Sequence, residues 1–437
     1  LSMGNQYTTV NGDKWAYIFS ATYKNETRFF ADRKYGEYFR AADSNDYELL
    51  EATTQVGSEG SNITLLGGLA GLSYKTDVSK YKLSVIHLQN GESKASQFSI
   101  LNTENGDVPG SSGYRAFANN LEFYQRGLTN VLLSGEHFIN DGAWEIEWKA
   151  APTFSNILEP DLRRTAFTIN ASRGDSTFEP GQGGNPIRIW RELNEVNAVG
   201  KVDLTRNLTW WERDAKIKFG TSYAYKNRDY EILTFNTQFF NNSFDQAQFG
   251  GDPNNVLLEQ NLYPNGPEAY YLGEFTDINP NAYKGNNNNL GNYVSVEFSA
   301  LLNLKAILGL RTEYFVQRHT GVNINDESQS LDNEVVLESF DFFPSTNLIY
   351  TLNENMNLRA AYFRSIARPS FKELSFAQIL DPASNRTFNG GFFPYTNTST
   401  GEVIWDGNLS ETRINNLDLR WEYFMDPGEI ISVTAFV

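Results

Sequence analysis

Among the side chains that could do chemistry, the three histidines, His87, His137 and His319, stand far apart in the chain. No HExxH, GxSxG or phosphate-loop spacing surrounds any nucleophile or acid. Catalysis by acid, base or nucleophile needs such groups in one constellation, so no catalytic residue is assigned and the chain does not read as an enzyme. His137, in SGEHF, falls at a predicted strand end, where a structural histidine with satisfied nitrogens is the expectation. Asn325-Asp326-Glu327 and Asp332-Asn333-Glu334 offer the oxygen ligands that calcium takes, but neither has EF-hand spacing. Most such clusters are solvated loop tips, and no metal or other cofactor is assigned. What is left is recognition chemistry. Tyr270, Tyr271, Tyr395, Asn397 and Trp405 fall in long polar segments, where rings stack on and amides hydrogen-bond a glycan, a peptide or a chelate. For each of these five, self-packing of the loop is the competing account.

The elements that carry these segments follow from composition and periodicity. At 437 residues the chain predicts two or three soluble domains or one large barrel. Aromatics make up 14% of it, with 31 Phe, 23 Tyr and 8 Trp, yet its average hydropathy is that of a water-soluble protein. Strands that alternate apolar and polar residues give that mixture, whereas no run of about 18 apolar residues is present to make a transmembrane helix. The absence of cysteine suits an oxidising compartment. A net charge of −17 argues against a nucleic-acid partner. It reads either as a solvated surface or as an acidic vestibule for cationic ligands. The opening LSMGNQYTTVNG has no signal-peptide pattern and the closing EIISVTAFV stops inside a predicted strand, so the expectation is an internal piece of a longer chain.

Period two is clearest in three places. Trp144, Ile146 and Trp148 oppose Glu145, Glu147 and Lys149; Ile217, Phe219, Tyr223 and Tyr225 oppose Lys216, Lys218, Ser222 and Lys226; Leu417, Leu419, Trp421 and Tyr423 oppose Asp418, Arg420 and Glu422. Short turns are predicted near Thr76 to Lys80, Ile139 to Ala143, Asn207 to Arg213, Leu302 to Leu304, Asn353 to Met356 and Met425 to Glu429. Between them lie long polar segments over 89–119, 150–190, 232–289, 318–334 and 366–411. Alternating short and long connections are the pattern of an antiparallel up-and-down transmembrane β-barrel with short periplasmic turns and long extracellular loops. A soluble sandwich has no reason to keep its long loops at one end. The strand from Leu358 then ends at Arg368-Pro369, because proline donates no ladder hydrogen bond. Aromatic clusters at Trp210-Trp211, Tyr314-Phe315, Phe342-Phe343 and Trp421 with Tyr423-Phe424 are expected near strand ends, at the membrane interfaces.

A resemblance sharpens this. FFPSTNLIYTLNENMNLRAAYFRSIARPSFKEL, residues 342–374, resembles a strand pair and loop start in the C-terminal barrel of TonB-dependent outer-membrane transporters. GNLSETRINNLDLRWEYFMDPGEIISVTAF at 407–436 resembles the next hairpin of that family. GNYVSVEFSALLNLKAILGLRTEYF at 291–315, YQRGLTNVLLSGEHF at 124–138 and EPDLRR through Arg164 are similar to further parts of it, in the expected order.

The resemblance implies a parent barrel of about 22 strands around a separate N-terminal plug. About 13 strands are predicted here, with neither the plug nor the short box that engages the inner-membrane energy transducer. The expectation is therefore one partial barrel domain over 1–437. Its implied partners are outer-membrane lipids, the energy transducer through the missing segment and a surface lipoprotein; its implied location is the bacterial outer membrane. Arg311, Arg368, Pro369 and Arg420 match family positions on barrel strands and in the lumen. The implied function is active import of a bulky, scarce nutrient, captured by loops 232–289 and 366–411. Two alternatives stay open at this point: a non-transporting barrel that scaffolds surface lipoproteins or an export machine, and a secreted carbohydrate-binding β-protein. An outer-membrane enzyme comes last.

Overall fold

Strands far longer than a bilayer requires make up this protein. Its computed structural model describes residues 1–41, 43, 45–103, 114–170, 175–177, 186–240, 258–266, 269–273, 279–323, 326–381, 386–426 and 428–437. In chain order the strands are β1 (Ser2–Thr8), β2 (Lys14–Arg40), β3 (Leu49–Lys75), β4 (Ser79–Asn102), β5 (Tyr114–Ile139), β6 (Trp144–Asn170) and β7 (Asp175–Thr177). There follow β8 (Ile187–Trp210), β9 (Arg213–Phe239), β10 (Ala269–Gly273), β11 (Tyr283–Leu301), β12 (Leu304–Gly321), β13 (Leu331–Asn353) and β14 (Met356–Ala367). The last are β15 (Gln378–Asp381), β16 (Arg386–Asn389), β17 (Tyr395–Thr396), β18 (Val403–Trp405), β19 (Thr412–Phe424) and β20 (Ile430–Phe436).

One antiparallel sheet takes up most of them, in the order β1-β2-β3-β4-β5-β6-β8-β9-β11-β12-β13-β14-β19-β20, with β7 on β6 and β10 on β9. Its path of fourteen strands is close to the 13 expected. Among the described residues β1 and β20 are its two edges. The short turns fall where the sequence puts them. Three of them have two residues, and the one from β8 to β9 runs through Trp211 and Glu212, both with positive φ, 54° and 61°. That twist matches the right-handed twist of the flanking strands.

The register separates two chemistries. Leu204, Phe219, Val294, Leu310 and Pro344 form one row across β8, β9, β11, β12 and β13. One residue along, Thr205, Lys218, Ser295, Gly309 and Ser345 form the next row, on the opposite face. The first row is what a strand presents to hydrocarbon and the second what it presents to a wet lumen. Near the turns the outer face ends in rings. Trp15 stacks on Tyr74 at 4.3 Å, Tyr74 on Tyr81 at 6.3 Å, and Tyr81 meets the His137 ring at 5.2 Å. Both nitrogens of His137 are engaged, Nδ1 with Ser79 Oγ at 3.0 Å and Nε2 accepting from Trp148 Nε1 at 3.0 Å. Trp210, Trp211 and Phe298 continue the belt, and Trp421 stacks on Tyr423.

Two expectations need correction. Residues 89–102, 114–119, 150–170, 187–190, 232–239 and 283–289, read as polar connections, belong to strands. Likewise Tyr314-Phe315 and Phe342-Phe343 lie in mid-strand, where Tyr314 pairs with Phe340 across β12 and β13. A membrane-spanning strand needs about 9–11 residues, whereas β2, β3, β6 and β9 each have 27. Beyond the apolar band neither face must be apolar throughout, so the period-two signal fades although the ladder continues. The end of β14 at Ala367, one residue before Arg368-Pro369, agrees with the sequence.

Replacing Phe219, on the apolar row, with Arg is expected to cost about 2–4 kcal/mol, whereas Lys218→Gln on the lumen row changes stability by no more than about 0.5 kcal/mol. Urea unfolding in lipid vesicles measures both; equal losses would contradict the assignment of faces.

Candidate ligand-capture site

The connection from β14 to β19 does not stay outside the sheet's curve; it folds back along the polar face. Its first anchor is ionic. Arg368 donates to Glu313 Oε2 at 2.8 Å, lies 3.7 Å from Asp341 and stacks 4.4 Å over the Phe315 ring. Arg311 also holds Glu313, at 2.7 Å, and Arg413 holds Asp341, at 3.1 Å. Three guanidinium groups thus hold two nearly buried carboxylates. Next, Ser370 and Glu373 cap each other: the Ser370 N–H donates to Glu373 Oε2 at 2.7 Å, and the Glu373 N–H to Ser370 Oγ. The same backbone N–H holds the Glu373 carboxyl below its usual range.

The second anchor is apolar. Phe371 and Ala377 are buried with Ile189, Tyr230, Ile232 and Tyr283 from β8, β9 and β11. Gly285 makes the contact possible, since a Cβ there would stand 2.5 Å from the Phe371 ring. The Gln378 N–H closes the crossing on Asn281 Oδ1 at 2.7 Å. His319 lies under the same segment, 1% exposed, with its ring 5.3 Å from Tyr283 and 6.0 Å from Phe392. Burial alone pushes its pKa down to about 4.

Between this inturned segment and the wall of β2 to β8 lies a cleft of about 550 Å³. Lys372 and Phe388 of the segment line one side. The wall contributes Arg33, Lys94, Arg126, Arg164 and Arg191, three glutamates, and Tyr35, Phe98, Phe123 and Tyr124. The cleft stands beyond the apolar band, at the end of the strands remote from the turns. Its size and its mix of rings with charged groups suit capture of a small molecule. A third feature sits in the wall itself. Asp161 takes a positive φ of 59° at a bulge after Pro160, and it accepts from both Arg163 and Arg188 at 2.6 Å. Burial works to raise its pKa, but these hydrogen bonds outweigh it and leave the carboxyl lowered.

With this geometry in hand, the family can be decided. Residues 98–437 match the family model described as TonB dependent receptor-like, beta-barrel. The chain belongs to this family of TonB-dependent receptor-like β-barrels. Such barrels reside in the outer membrane of Gram-negative bacteria, and that is the location of this one. Among solved structures, the ferripyoverdine receptor of Pseudomonas aeruginosa is similar at a TM-score of 0.52 and 12% identity, with 100% of this chain and 47% of that one covered. The siderophore receptor PiuA from Acinetobacter baumannii gives 0.45 and 10%, over 100% and 56%. The alcaligin receptor FauA from Bordetella pertussis gives 0.42 and 10%, over 94% and 50%. The chain therefore spans about half the length of these receptors. No curated protein matches it.

For a TonB-dependent receptor barrel, the sequence-derived candidates fall into two groups. Tyr395 pairs with Trp405 across β17 and β18, within the inturned segment. Tyr395 is exposed, Trp405 Nε1 donates to the Gly391 carbonyl at 2.8 Å, and Asn397 Oδ1 accepts from the Ser399 N–H in its own turn. Tyr270 and Tyr271 lie on β10, where Tyr270 packs against Phe240 and the Tyr271 hydroxyl accepts from Arg188 at 3.1 Å. Because Arg188 and Arg191 alternate on β8, the Tyr271 contact lies on the opposite face of the wall from the cleft. Residues 241–257, 267–268, 274–278 and 382–385 of the expected capture loops, and Asn325 of one calcium candidate, lie outside the described residues. Asp326 is engaged by Ser328 and Gln329.

The sequence reading missed Lys372, Phe388, the cleft arginines and Asp161. Asp161 has no usable signal either, because Pro160 falls in 150–190, which reads as a polar connection rather than a strand. Glu136, Glu145 and Glu147 also gather within 4.8 Å of one another on the lumen face. Lys80, Lys82 and Lys149 line the same hollow as Glu136 and Glu147 and balance their charge.

Two outcomes test the anchors. Arg368→Ala leaves each carboxylate one arginine, so a loss of about 2–3 kcal/mol is expected, below the range for an unpaired buried charge. It should appear as faster proteolytic cleavage within 368–411, with the strands still protected. His319 is protonated more readily in the unfolded chain than in the folded one, so its contribution is complete above pH 6.5 and is lost as pH falls from there towards 4. Cleavage within 368–411 should accelerate across that window in the native protein and not in His319→Phe.

Proposed function

We propose that this chain is part of the wall of an outer-membrane importer that captures a bulky, scarce nutrient (a glycan, a peptide or a metal chelate) and passes it inward without altering it chemically. The observation that carries this reading is the cleft of about 550 Å³ between the inturned 368–411 segment and the barrel wall, beyond the apolar band. A scaffold that only displays its loops needs no such enclosed hollow. In this reading Tyr395 and Trp405 stack on the ligand and Asn397 hydrogen-bonds it as it enters, while Tyr270 and Tyr271 act at the rim. Of the solved receptors, that of Pseudomonas aeruginosa is described as a ferripyoverdine receptor and PiuA as a siderophore receptor. At 12% identity and a TM-score of 0.52 the former supports the barrel rather than a particular cargo.

Within the same proposal, residues 1–437 form one partial barrel domain. Among the described residues the edges β1 and β20 carry backbone groups that hydrocarbon cannot satisfy, and a closed barrel would pair them. Energy reaches the barrel from an inner-membrane transducer, outer-membrane lipids surround it, and a surface lipoprotein is a further partner.

The test compares wild-type and gene-deleted cells for accumulation of labelled oligosaccharides, peptides and metal chelates, with and without a protonophore. Import predicts that at least one class accumulates less in the deletion strain, and that the protonophore reduces wild-type accumulation to the same level. Equal accumulation of all three classes in both strains would refute it.

A further inference from the structure

The wall is not paired along its whole height. β13 has 23 residues and β14 has 12. On one side β13 is paired with β12 from Leu331 to Tyr350. On the other it meets β14 from Ser345, opposite Phe363, down to Asn353. From Arg364 to Ala367, β14 pairs with β19 alone, and Pro369, which donates no ladder hydrogen bond, stops it from running further. Among the described residues, 331–344 therefore keep one edge without a backbone partner. A strand crosses the membrane in about 9–11 residues. Rising from its turn after Asn353, β13 thus leaves the hydrocarbon near Pro344, and the free edge stands outside it. On the polar face side chains bridge the split: Arg368 and Arg413 reach Asp341 at 3.7 and 3.1 Å. The outward face is open, with Phe340 and Phe342 58% and 51% exposed and their rings 5.1 Å apart. Asp332, Glu334 and Glu338 are exposed along the same stretch. Among the described residues none of the three forms an ion pair; Glu338 accepts from the Tyr314 hydroxyl at 2.6 Å. The cations beside the edge are Arg318, paired with Val335, and Arg364 at the foot of the split, whose Nε is enclosed without a partner.

We infer that 331–344 is a docking edge, which takes up an extended, basic segment of a partner protein at the cell surface as an added strand. The added strand satisfies a row of N–H and C=O groups that otherwise face water, and that ladder supplies affinity whatever the side chains. Side chains supply the choice. Every second residue of the guest lies on the outer face, beside Glu338, Phe340 and Phe342. Lysine or arginine at those positions pairs with the carboxylate and lies over the two rings, while Asp332 and Glu334 extend the attraction at the far end. Arg364, at the foot of the split, offers its free Nε–H to a guest carbonyl. The same acids disfavour a second copy of this chain, whose own edge would bring like charges against them. The guest is a partner rather than a cargo, because Arg368 and Arg413 close the split on the polar face, where the cleft lies. The inference is independent of what the barrel imports.

Fluorescence anisotropy on the detergent-solubilised protein tests it with a labelled peptide of alternating lysine and valine. Two controls accompany the probe: the same peptide with glutamate for lysine, and the lysine peptide N-methylated at every second residue, which keeps the charge and loses the ladder donors of one edge. The unmodified lysine peptide is expected to bind about tenfold more tightly than either control. Glu334→Lys/Glu338→Lys should weaken it about tenfold or more, whereas Glu429→Lys, at the turn before β20, should not. Cross-linking reads the position. The chain has no cysteine, so Phe342→Cys should form a disulfide with a peptide that carries one activated cysteine, and Leu302→Cys, in the turn before β12, should not. This single exposed substitution locates the guest should the double variant fail to fold. Equal binding of the methylated peptide would mean attraction by charge without a strand and would overturn the inference. So would an absence of preference for lysine, binding indifferent to the charge reversal, or equal cross-linking at both positions. A disulfide-linked dimer of the Phe342→Cys protein formed without peptide would assign the edge to a second copy and overturn it too.

Discussion

Everything in this molecule depends on one constraint: within the hydrocarbon layer every backbone N–H and C=O must find its partner in a neighbouring strand. The fourteen-strand antiparallel ladder meets it for the strands between its two edges, and the ladder fixes which side chains face lipid. Because register decides face, a slip of one residue would exchange the row Leu204, Phe219, Val294 and Leu310 for the row Thr205, Lys218, Ser295 and Gly309. It would then place a lysine in lipid. Hydrophobicity therefore does here what a packed core does in a soluble domain, but from outside. The polar face is left free to carry ions, hydrogen bonds and an inturned segment.

Glycines on that face let side chains reach across strands. Tyr293 extends over Gly220 to donate to Asp203 Oδ1 at 2.6 Å; a Cβ at Gly220 would stand 2.1 Å from its ring. Arg311 crosses Gly291 in the same way to reach Ser222 Oγ at 3.2 Å, and Phe371 occupies the space at Gly285. The first two contacts brace the wall within itself. The third docks the inturned segment, so one device, an absent Cβ opposite a long side chain, serves both barrel rigidity and the geometry of the cleft. These glycines are used for the room they leave rather than for unusual backbone angles.

The architecture was legible because its signal is local. Alternation at Trp144–Lys149, Ala215–Lys226 and Leu417–Tyr423, with short turns between, was enough for the antiparallel barrel, and Arg368-Pro369 marked the end of a strand. Strand lengths were not legible, since β4, β6 and β9 continue past the membrane where neither face must be apolar. The cleft was not legible either. Lys372 meets the wall beside Arg126 and Arg164 only because the chain after Ala367 turns inward, and that turn depends on Glu313, Asp341 and Gly285, each on a different strand. Aromatic content drew attention to Tyr395 and Trp405, which the structure does bring together. It drew attention equally to Tyr271, whose ring is held by Arg188 on the other face of the wall.

Net charge was the least local of the sequence signals and the least informative about the site. A balance of −17 suggested either a solvated surface or an acidic vestibule, but a field inside a concave wall is set by the few charges that line it. Screening in water limits the influence of acids more than about 8–10 Å away, whereas groups lining the cleft act through a medium from which water is partly excluded. In the cleft three acids are already paired with three bases, Glu59 with Arg33, Glu122 with Lys94 and Glu159 with Arg191. The net charge of the whole chain therefore does not set the field inside such a cleft.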